Sequence, residues 1–594
     1  MSKETLKNLE AVRSEMRRLG VDAVIIPGTD PHQSEYISGH WKLRDWVSGF
    51  TGSNGTAVVT LDQAGLWTDS RYFLQAAAQL EDSGFDMHKE DVPGEATVNE
   101  WIAANLHDGA VLAVDGYLFS IAQAAQLEEM CGRNGLRFAS DFNIADRVWT
   151  EGRPSRPEGK IFIHDEKYAG ESASDKMARV LAEVEKAGAD SIFIPSLDEI
   201  AWTLNLRGSD VEFTPVFISY LYLSDDAKVL FIDDVKLDRE VKDYLKSIGV
   251  AVKPYDEVRN YLGRVSTGTT VMLDPAKVSD TLARALDCIK VYSTSPIAML
   301  KAVKNDVQLA GTRRAMERDG AALVRLWMWL EANAETGKYN EIDVWKKGIE
   351  YRSQSDLYRG DSFAMIAGYK EHGAIVHYSA DEESASTIHA DGLLLIDSGA
   401  QYLDGTTDIT RTISLGNPTP DEIHDYTLVL KGHLAIARAQ YPAGTRGAQL
   451  DALARIYLWN EGMSYLHGTG HGVGHFLGVH EGPQNIRLNE NNTPLLPGMI
   501  TSDEPGVYKA GRYGIRIENL VLTVEGDHSD EFGDFYRFEV LTLFPYDRSL
   551  IDTSILSAQE IEQVNNYHKQ VYDRLSPYLN DSEKQWLAAK TKEL

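Results

Sequence analysis

Four histidines, His467, His471, His475 and His480, punctuate one glycine-rich stretch, HGTGHGVGHFLGVHEGP, running from His467 to Pro483. Such a cluster has the residue types of a metal site or a catalytic loop. His467, His471 and His475 are four apart, which on a helix would be one face. Gly468, Gly470, Gly472 and Gly474 fall between them, and each glycine costs a helix interior about 1 kcal/mol relative to alanine. The spacing therefore predicts a Gly-rich strand or bend whose backbone passes close to a ligand. No H-E-x-x-H occurs in the chain, so a zincin-type pair on a helix is excluded. Position alone does not say which histidine holds a metal.

Carboxylates accompany the histidines. In GLLLIDSG, Asp397 follows four apolar residues that read as a buried strand, and a buried carboxylate must be paired, protonated or bound to a cation. The following run, TTDITRTISLG, carries Asp408. A hairpin with a four-residue loop, Gln401 to Asp404, would set Asp397 and Asp408 directly opposite each other, with Cβ atoms about 4.5–5.5 Å apart. Two anions that close repel unless a metal lies between them or one keeps a proton. In YGIRIENLVLTV, alternation puts Arg516 and Glu518 on one face of a strand. Glu504 ends the apolar stretch before MITSDEPG turns. Either glutamate alone reads as exposed or salt-bridged. Together, two Asp, two Glu and a histidine cluster within about 120 residues form a sulfur-free set that suits Mn²⁺, Fe²⁺, Co²⁺ or Zn²⁺. Four carboxylates leave one divalent ion half-compensated, whereas two ions balance them, which is the arithmetic of a two-metal hydrolase.

The elements that must position these groups are legible in outline. The chain has 594 residues, enough for about three to four domains. Two stretches of the first half follow one order: VIIP and IFIP, each a β-rich run ending in Ile-Pro, then a polar segment, a helix and paired apolar strands. We read them as an internal repeat of α/β units, divided by the Pro/Gly-rich EGRPSRPEGK. The expected domains are 1–156, 157–300, a catalytic domain over 301–548 and a helical extension over 549–594. Asp306 to Glu335 reads as a long helix, and eleven of the sixteen histidines lie beyond residue 370, which places the chemistry in the second half. In the tail, Tyr567 and Trp586 are expected to pack on the core rather than on a partner subunit. A net charge of −30 disfavours nucleic acid and anionic membranes as partners. Two distant cysteines, no apolar run near 18 residues and no signal-like N-terminus predict a cytoplasmic protein without disulfides.

The set LLLIDSGAQYLDGTTDITRT, HGTGHGVGHFLGVHEGP, TSDEPGVY and GIRIEN resembles the catalytic domain of the aminopeptidase P family (peptidase family M24). The resemblance extends over the whole chain, with GAIVHYSA and AGLWTDSRYFLQAA similar to the large, three-domain cytosolic form. It implies an α/β (α+β) chain: a C-terminal pita-bread metallopeptidase domain preceded by two related creatinase-N-like α/β domains. It implies metal ligands Asp397, Asp408, His471, Glu504 and Glu518, with Asp408 and Glu518 bridging two divalent ions, Mn²⁺ by family expectation. A hydroxide between the ions would be the nucleophile and Glu504 its proton acceptor. His377 would contact the scissile region and leaving amine, and His467 and His480 would bind substrate. Arg516, Tyr508 and Arg71 are further substrate-binding candidates. His475 stands where relatives carry a small residue, and a packed histidine is the expectation there.

The implied activity is removal of an N-terminal residue that precedes proline, from peptides, by a homodimer. An Xaa–Pro bond is a tertiary amide with no N–H, so enzymes that must grip that N–H cannot use it. A prolidase restricted to dipeptides is the alternative within enzymes. A non-catalytic pita-bread binding module is the alternative outside them, and the intact ligand set weighs against it.

Overall fold

The computed structural model describes residues 2–594. Its contacts divide the chain into two compact units, Met1–His164 with Glu171–Ile297, and Asp165–Gly170 with Ala298–Leu594.

The first unit opens with helix α1 (Ser2–Leu19) and holds two six-stranded sheets. The first contains β1 (Ala23–Pro27), β2 (Thr56–Thr60), β3 (Ala64–Thr68), β4 (Asp86–Lys89), β5 (Val111–Ala113) and β6 (Arg137–Ala139), in spatial order β4-β3-β2-β1-β5-β6. The second contains β7 (Ser191–Ile194), β8 (Tyr220–Ser224), β9 (Lys228–Phe231), β10 (Ala251–Lys253), β11 (Thr270–Leu273) and β12 (Ile289–Tyr292), in order β10-β9-β8-β7-β11-β12. Corresponding neighbours pair in the same sense, antiparallel for β1–β2 and β7–β8, parallel for β1–β5 and β7–β11. The two Ile-Pro runs open equivalent sheets, so the repeat legible in the sequence is a repeat of topology. Val24, Ile26, Val59 and Leu66 make a buried core with Leu9, Val12 and Met16 of α1.

The second unit is built on helix α2 (Asp306–Asn333), started by Asn305, whose side chain accepts from the Gln308 N–H in a capping box. Helix α3 (Glu341–Arg352) follows. A three-stranded antiparallel sheet joins β13 (Ile366–Tyr369), β14 (Leu393–Ser398) and β15 (Ile409–Ser414), with β14 central. A four-stranded sheet joins β16 (Gln440–Pro442), β18 (Ile500–Asp503), β21 (Asn519–Ser529) and β22 (Gly533–Val540). Between them in sequence lie β17 (Gly470–His471), and the hairpin β19 (Gly506–Lys509) with β20 (Tyr513–Arg516). Helices α4 (Pro420–Ala437) and α5 (Gly447–Trp459) pack against each other. Leu394 and Ile396 of β14 enter the main core with Tyr426 and Val429 of α4 and Trp327 of α2, while Leu395 packs on the opposite face with Ile366 and Tyr378. A strand buried on both faces explains its unbroken apolar run. The tail forms α6 (Ala558–Leu575) and α7 (Asp581–Lys590), which pack on α2. Tyr567 lies in the core and Trp586 packs, partly buried, against it, its Nε1 donating to Glu331 at 2.6 Å. Among the described residues, no helix is long and apolar enough to cross a membrane.

Two expectations need correction. The hairpin loop after Asp397 has two residues, Leu403 and Asp404, not four, because Tyr402 pairs with Gly405. Asp397 therefore faces Thr410 rather than Asp408. The slip is two residues, and side chains alternate with period two, so Asp408 stays on the Asp397 face, displaced diagonally. Nor do Arg516 and Glu518 share one strand. β20 ends at Arg516, paired with Gly506, and β21 begins at Asn519, paired with Asp503. The chain changes partner between them, and Glu518 sits at the change.

Candidate metal centre

Each ligand candidate except Asp397 sits at or beside a strand interruption. Asp408 precedes β15, Glu504 separates β18 from β19, and Glu518 separates β20 from β21. His471 ends the two-residue β17. Where a chain leaves one sheet for another, its side chains are free of the strict up-down alternation, and these converge. Ligand atoms of Asp408, His471 and Glu518 lie within 4.8 Å of one another. His471 Nε2 is 3.5 Å from Asp408 Oδ2 and 3.5 Å from Glu504 Oε1.

The glycines flanking His471 allow this approach. A Cβ on Gly470 would stand 1.8 Å from the Ser502 carbonyl oxygen, and one on Gly472 would stand 2.0 Å from that of Glu481. His471 N donates to Ser502 Oγ at 2.9 Å, and Ser502 Oγ donates to Glu504 Oε1 at 3.1 Å, so one hydroxyl orients both residues. His471 Nδ1 faces the Gly472 carbonyl at 2.9 Å. A carbonyl only accepts, so Nδ1 carries the proton and Nε2 presents its lone pair to the carboxylates in the neutral ring, the tautomer a metal requires.

Glu518 Oε2 accepts from Thr410 Oγ1 at 2.7 Å. Asp397 Oδ2 accepts from Arg516 Nη2 at 2.6 Å, while its Oδ1 is buried with no hydrogen-bond partner among the described residues. Arg516 also donates to Tyr508 Oη at 2.8 Å, and Tyr508 Oη lies 2.8 Å from His467 Nε2. Because His467 Nδ1 is committed to the Gly468 carbonyl at 2.7 Å, the neutral ring accepts from the Tyr508 hydroxyl. A continuous chain thus runs His467–Tyr508–Arg516–Asp397.

One guanidinium cannot balance four carboxyl groups, and the titration of the cluster records this. Burial pushes Glu504 up to about 7, with His471 and Arg516 opposing and Asp408 and Asp397 adding to the rise. Burial and the charges of Asp408, Glu504 and Asp397 lift Glu518 well above the carboxylate range. Asp397 is raised by burial and by Asp408 against the pull of Arg516. For His471, burial acts to lower the pKa, but the hydrogen bond with Asp408 and the charges of Glu504 and Asp408 prevail and hold it at about 9. The orphaned Asp397 Oδ1, the oriented His471 Nε2 and the crowded carboxylates together fit divalent cations held by oxygen and imidazole.

The other candidates fall as follows. His480 stacks edge-on against His471 with ring centroids 4.4 Å apart. His475 is buried, and its Nδ1 lies 3.4 Å from Thr312 Oγ1 on α2, so it packs against the helix, as expected of a packed histidine. His377 is half-buried on the loop after the 3-10 turn Lys370–Ala374. Arg71 belongs to the first unit, bound to Asp69 at 2.7 Å.

Sequence reasoning missed Thr410, Ser502 and Glu341. Thr410 lies two residues from Asp408 in an alternating strand, and that parity could have flagged it. Glu341 is wholly buried and accepts from Tyr369 N (2.8 Å), Ser386 N (2.8 Å), Tyr378 Oη (2.8 Å) and His372 Nδ1 (2.9 Å), which fixes the segment that carries His377. No local signal marks it.

Comparison with known proteins agrees with this geometry. Residues 310–525 match the model of metallopeptidase family M24, and residues 534–594 match the C-terminal region of peptidase M24. Residues 8–143 and 152–308 each match a creatinase/prolidase N-terminal domain. Aminopeptidase P2 of Arabidopsis thaliana is 41% identical over 98% of this chain and 88% of its own length. A probable Xaa-Pro aminopeptidase P of Coprinopsis cinerea is 41% identical over 99% of this chain and 98% of its own. The crystal structure of an X-prolyl aminopeptidase from Caenorhabditis elegans, described as a cytosolic enzyme with a di-nuclear active site, superposes with a TM-score of 0.95 at 35% identity, covering 99% of this chain and 100% of that one. An Xaa-Pro dipeptidase from Bacillus anthracis shares the fold over only 63% of this chain, at a TM-score of 0.51 and 23% identity. Two sheets of one topology, a metal-shaped cluster of oxygen and imidazole ligands, and similarity from end to end lead to one assignment: the chain belongs to the aminopeptidase P family of M24 metallopeptidases.

Proposed function

We propose that this protein hydrolyses the first peptide bond of peptides with proline in the second position. The observation that carries the reading is the convergence of Asp408, His471 and Glu518 within 4.8 Å, with Glu504 and Asp397 tied to the same cluster. Asp397, Asp408, His471, Glu504 and Glu518 would hold two divalent ions, and Mn²⁺ is the metal we assign. When bound, such ions lower the pKa of water to about 7 and polarise a carbonyl.

The remaining work falls to the chain's own groups. Glu504 takes the proton of the attacking water. The leaving proline nitrogen needs a proton, and we assign contact with it to His377. We assign His467, its Nε2 engaged by Tyr508, to the wall of the peptide site, and His480, packed on His471, to donating to the scissile carbonyl oxygen as charge develops there. Arg516 holds Asp397 in position and keeps Tyr508 aimed at His467. Arg71 is assigned to substrate binding. We further assign a homodimer in the cytoplasm, in line with the cytosolic description of the Caenorhabditis elegans relative.

The test is Mn²⁺-loaded protein mixed separately with Arg-Pro-Pro and Arg-Pro, following free arginine. Release from the tripeptide is the expected result. Release from the dipeptide alone would assign a prolidase, and release from neither, with metal bound, would overturn the peptidase reading.

A further inference from the structure

In the first unit, β1 and β7 occupy equivalent positions. Each has a parallel neighbour on one side (β5, β11) and an antiparallel neighbour on the other (β2, β8), so the chain departs in opposite directions at that point. Open α/β sheets bind ligands outside the carboxyl ends of their strands, at such switch points. A cavity of about 210 Å³ lies there, lined from both sheets. Asp115 and Tyr117 follow the carboxyl end of β5, Tyr255 follows that of β10, and Arg156 comes from the segment that joins the two repeats. Trp41 completes an aromatic wall.

The chemistry of the lining is two-signed. Asp115 Oδ1 accepts from the Tyr117 N–H at 3.0 Å, and among the described residues no lysine or arginine pairs with it. Its carboxyl is pushed up to about 6 by burial and by the charge of Asp146, against the Tyr117 amide and the charge of Arg153, which also lines the cavity. Arg156 lies over the Tyr255 ring, 4.6 Å from its centroid, donates to both oxygens of Asp256 at 2.7 and 3.0 Å and lies 3.5 Å from Asp233. The Asp256 side chain is 75% exposed, so water screens its hold on the guanidinium and a ligand carboxylate can compete for Arg156. A carboxyl group that holds no ion pair, a guanidinium whose partner is open to water and aromatic faces suit one kind of molecule. The volume is below the roughly 300–1,000 Å³ of drug-sized pockets, which favours a small ligand over a nucleotide.

We propose that this cavity binds a small zwitterion, a free amino acid or a dipeptide, with its ammonium at Asp115, its carboxylate at Arg156 and its side chain against the aromatic wall. An aminopeptidase generates free amino acids, so the site would report product. That link rests on the proposed function, but the binding does not.

The test is isothermal titration calorimetry on the metal-loaded full chain, with L-leucine and, separately, the dipeptide Ala-Leu. We expect saturable binding of at least one, which identifies the source. Loss of the carboxylate (leucinamide) or of the ammonium (4-methylpentanoate) should weaken leucine binding at least about tenfold, as for a charge-assisted contact. Asp115→Asn and, independently, Arg156→Gln should do the same, while Asp408→Asn in the metal cluster leaves binding intact. Absence of saturable binding by both probes overturns the proposal, as does binding that survives both cavity variants or vanishes with Asp408→Asn. Because the readout is heat of binding rather than turnover, failure here is separable from failure of the peptidase reading.

Discussion

Replacing Glu341 with glutamine removes a charge and half of an acceptor set. Four donors converge on the carboxylate: Tyr369 N, Ser386 N, Tyr378 Oη and His372 Nδ1. A glutamine oxygen can accept from about two of them, and its NH₂ then opposes the others. Each donor left unsatisfied costs about 1–3 kcal/mol, so two of them should weaken the local structure by roughly 2–6 kcal/mol, or about 30- to 25,000-fold in the opening equilibrium. Native-state hydrogen exchange is the assay, since it reads local opening in a large chain that unfolds in more than one step. The Tyr369 and Ser386 amides should exchange faster by that factor. The pH dependence should change as well. The hydrogen bond to Glu341 raises the His372 pKa, with burial opposing. Its stabilisation is therefore complete below the unfolded value of about 6.5 and is lost as pH rises through the higher folded value. In Glu341→Gln that pH-dependent loss should disappear. Since the held segment carries His377, kcat should fall while metal content stays constant. Unchanged exchange at Ser386 would refute the reasoning.

Three further outcomes follow from the site. Metal binding to the stripped protein near pH 7 should release at least about two protons, since Glu504 at about 7, His471 at about 9 and the raised Glu518 hold them when no cation is present; affinity should rise with pH, and a pH-stat titration showing no release would contradict the assignment. Tyr508→Phe removes the hydroxyl between Arg516 and His467 and should lower kcat roughly five- to a hundredfold, the effect of about 1–3 kcal/mol, with metal content unchanged by elemental analysis. Gly470→Ala places a methyl 1.8 Å from the Ser502 carbonyl oxygen, so strand and ligand must separate, and metal occupancy should drop even though no ligand is altered.

Much of this candidate site is legible in the sequence because its candidate ligands lie next to strong local signals. Asp397 follows four apolar residues, and Asp408 opens an alternating run, so both strands and their common face could be read. The register could not, because a two-residue and a four-residue loop differ by a slip that preserves every facing. Glu504 and Glu518 stand where strands change partners, an event fixed by the four-stranded sheet that β18 and β21 form and invisible to periodicity. Ring positions in the glycine-rich stretch depend on contacts with Ser502, Thr312 and Tyr508, each at least 28 residues away, so His471 was identified by resemblance rather than by spacing. Glu341 was beyond reach for the same reason, since its acceptor role is set by partners 28 to 45 residues along the chain. The repeated α/β unit was recognised from two Ile-Pro runs, and its identical strand order came only with the structure.

The most direct measurement is metal content by inductively coupled plasma mass spectrometry after loading with Mn²⁺ and gel filtration. The account predicts about two ions per chain in the unmodified protein, clearly fewer in Asp408→Asn and Glu518→Gln, and about two in His475→Asn. Two ions retained in both carboxylate variants, or lost in His475→Asn alone, would contradict it.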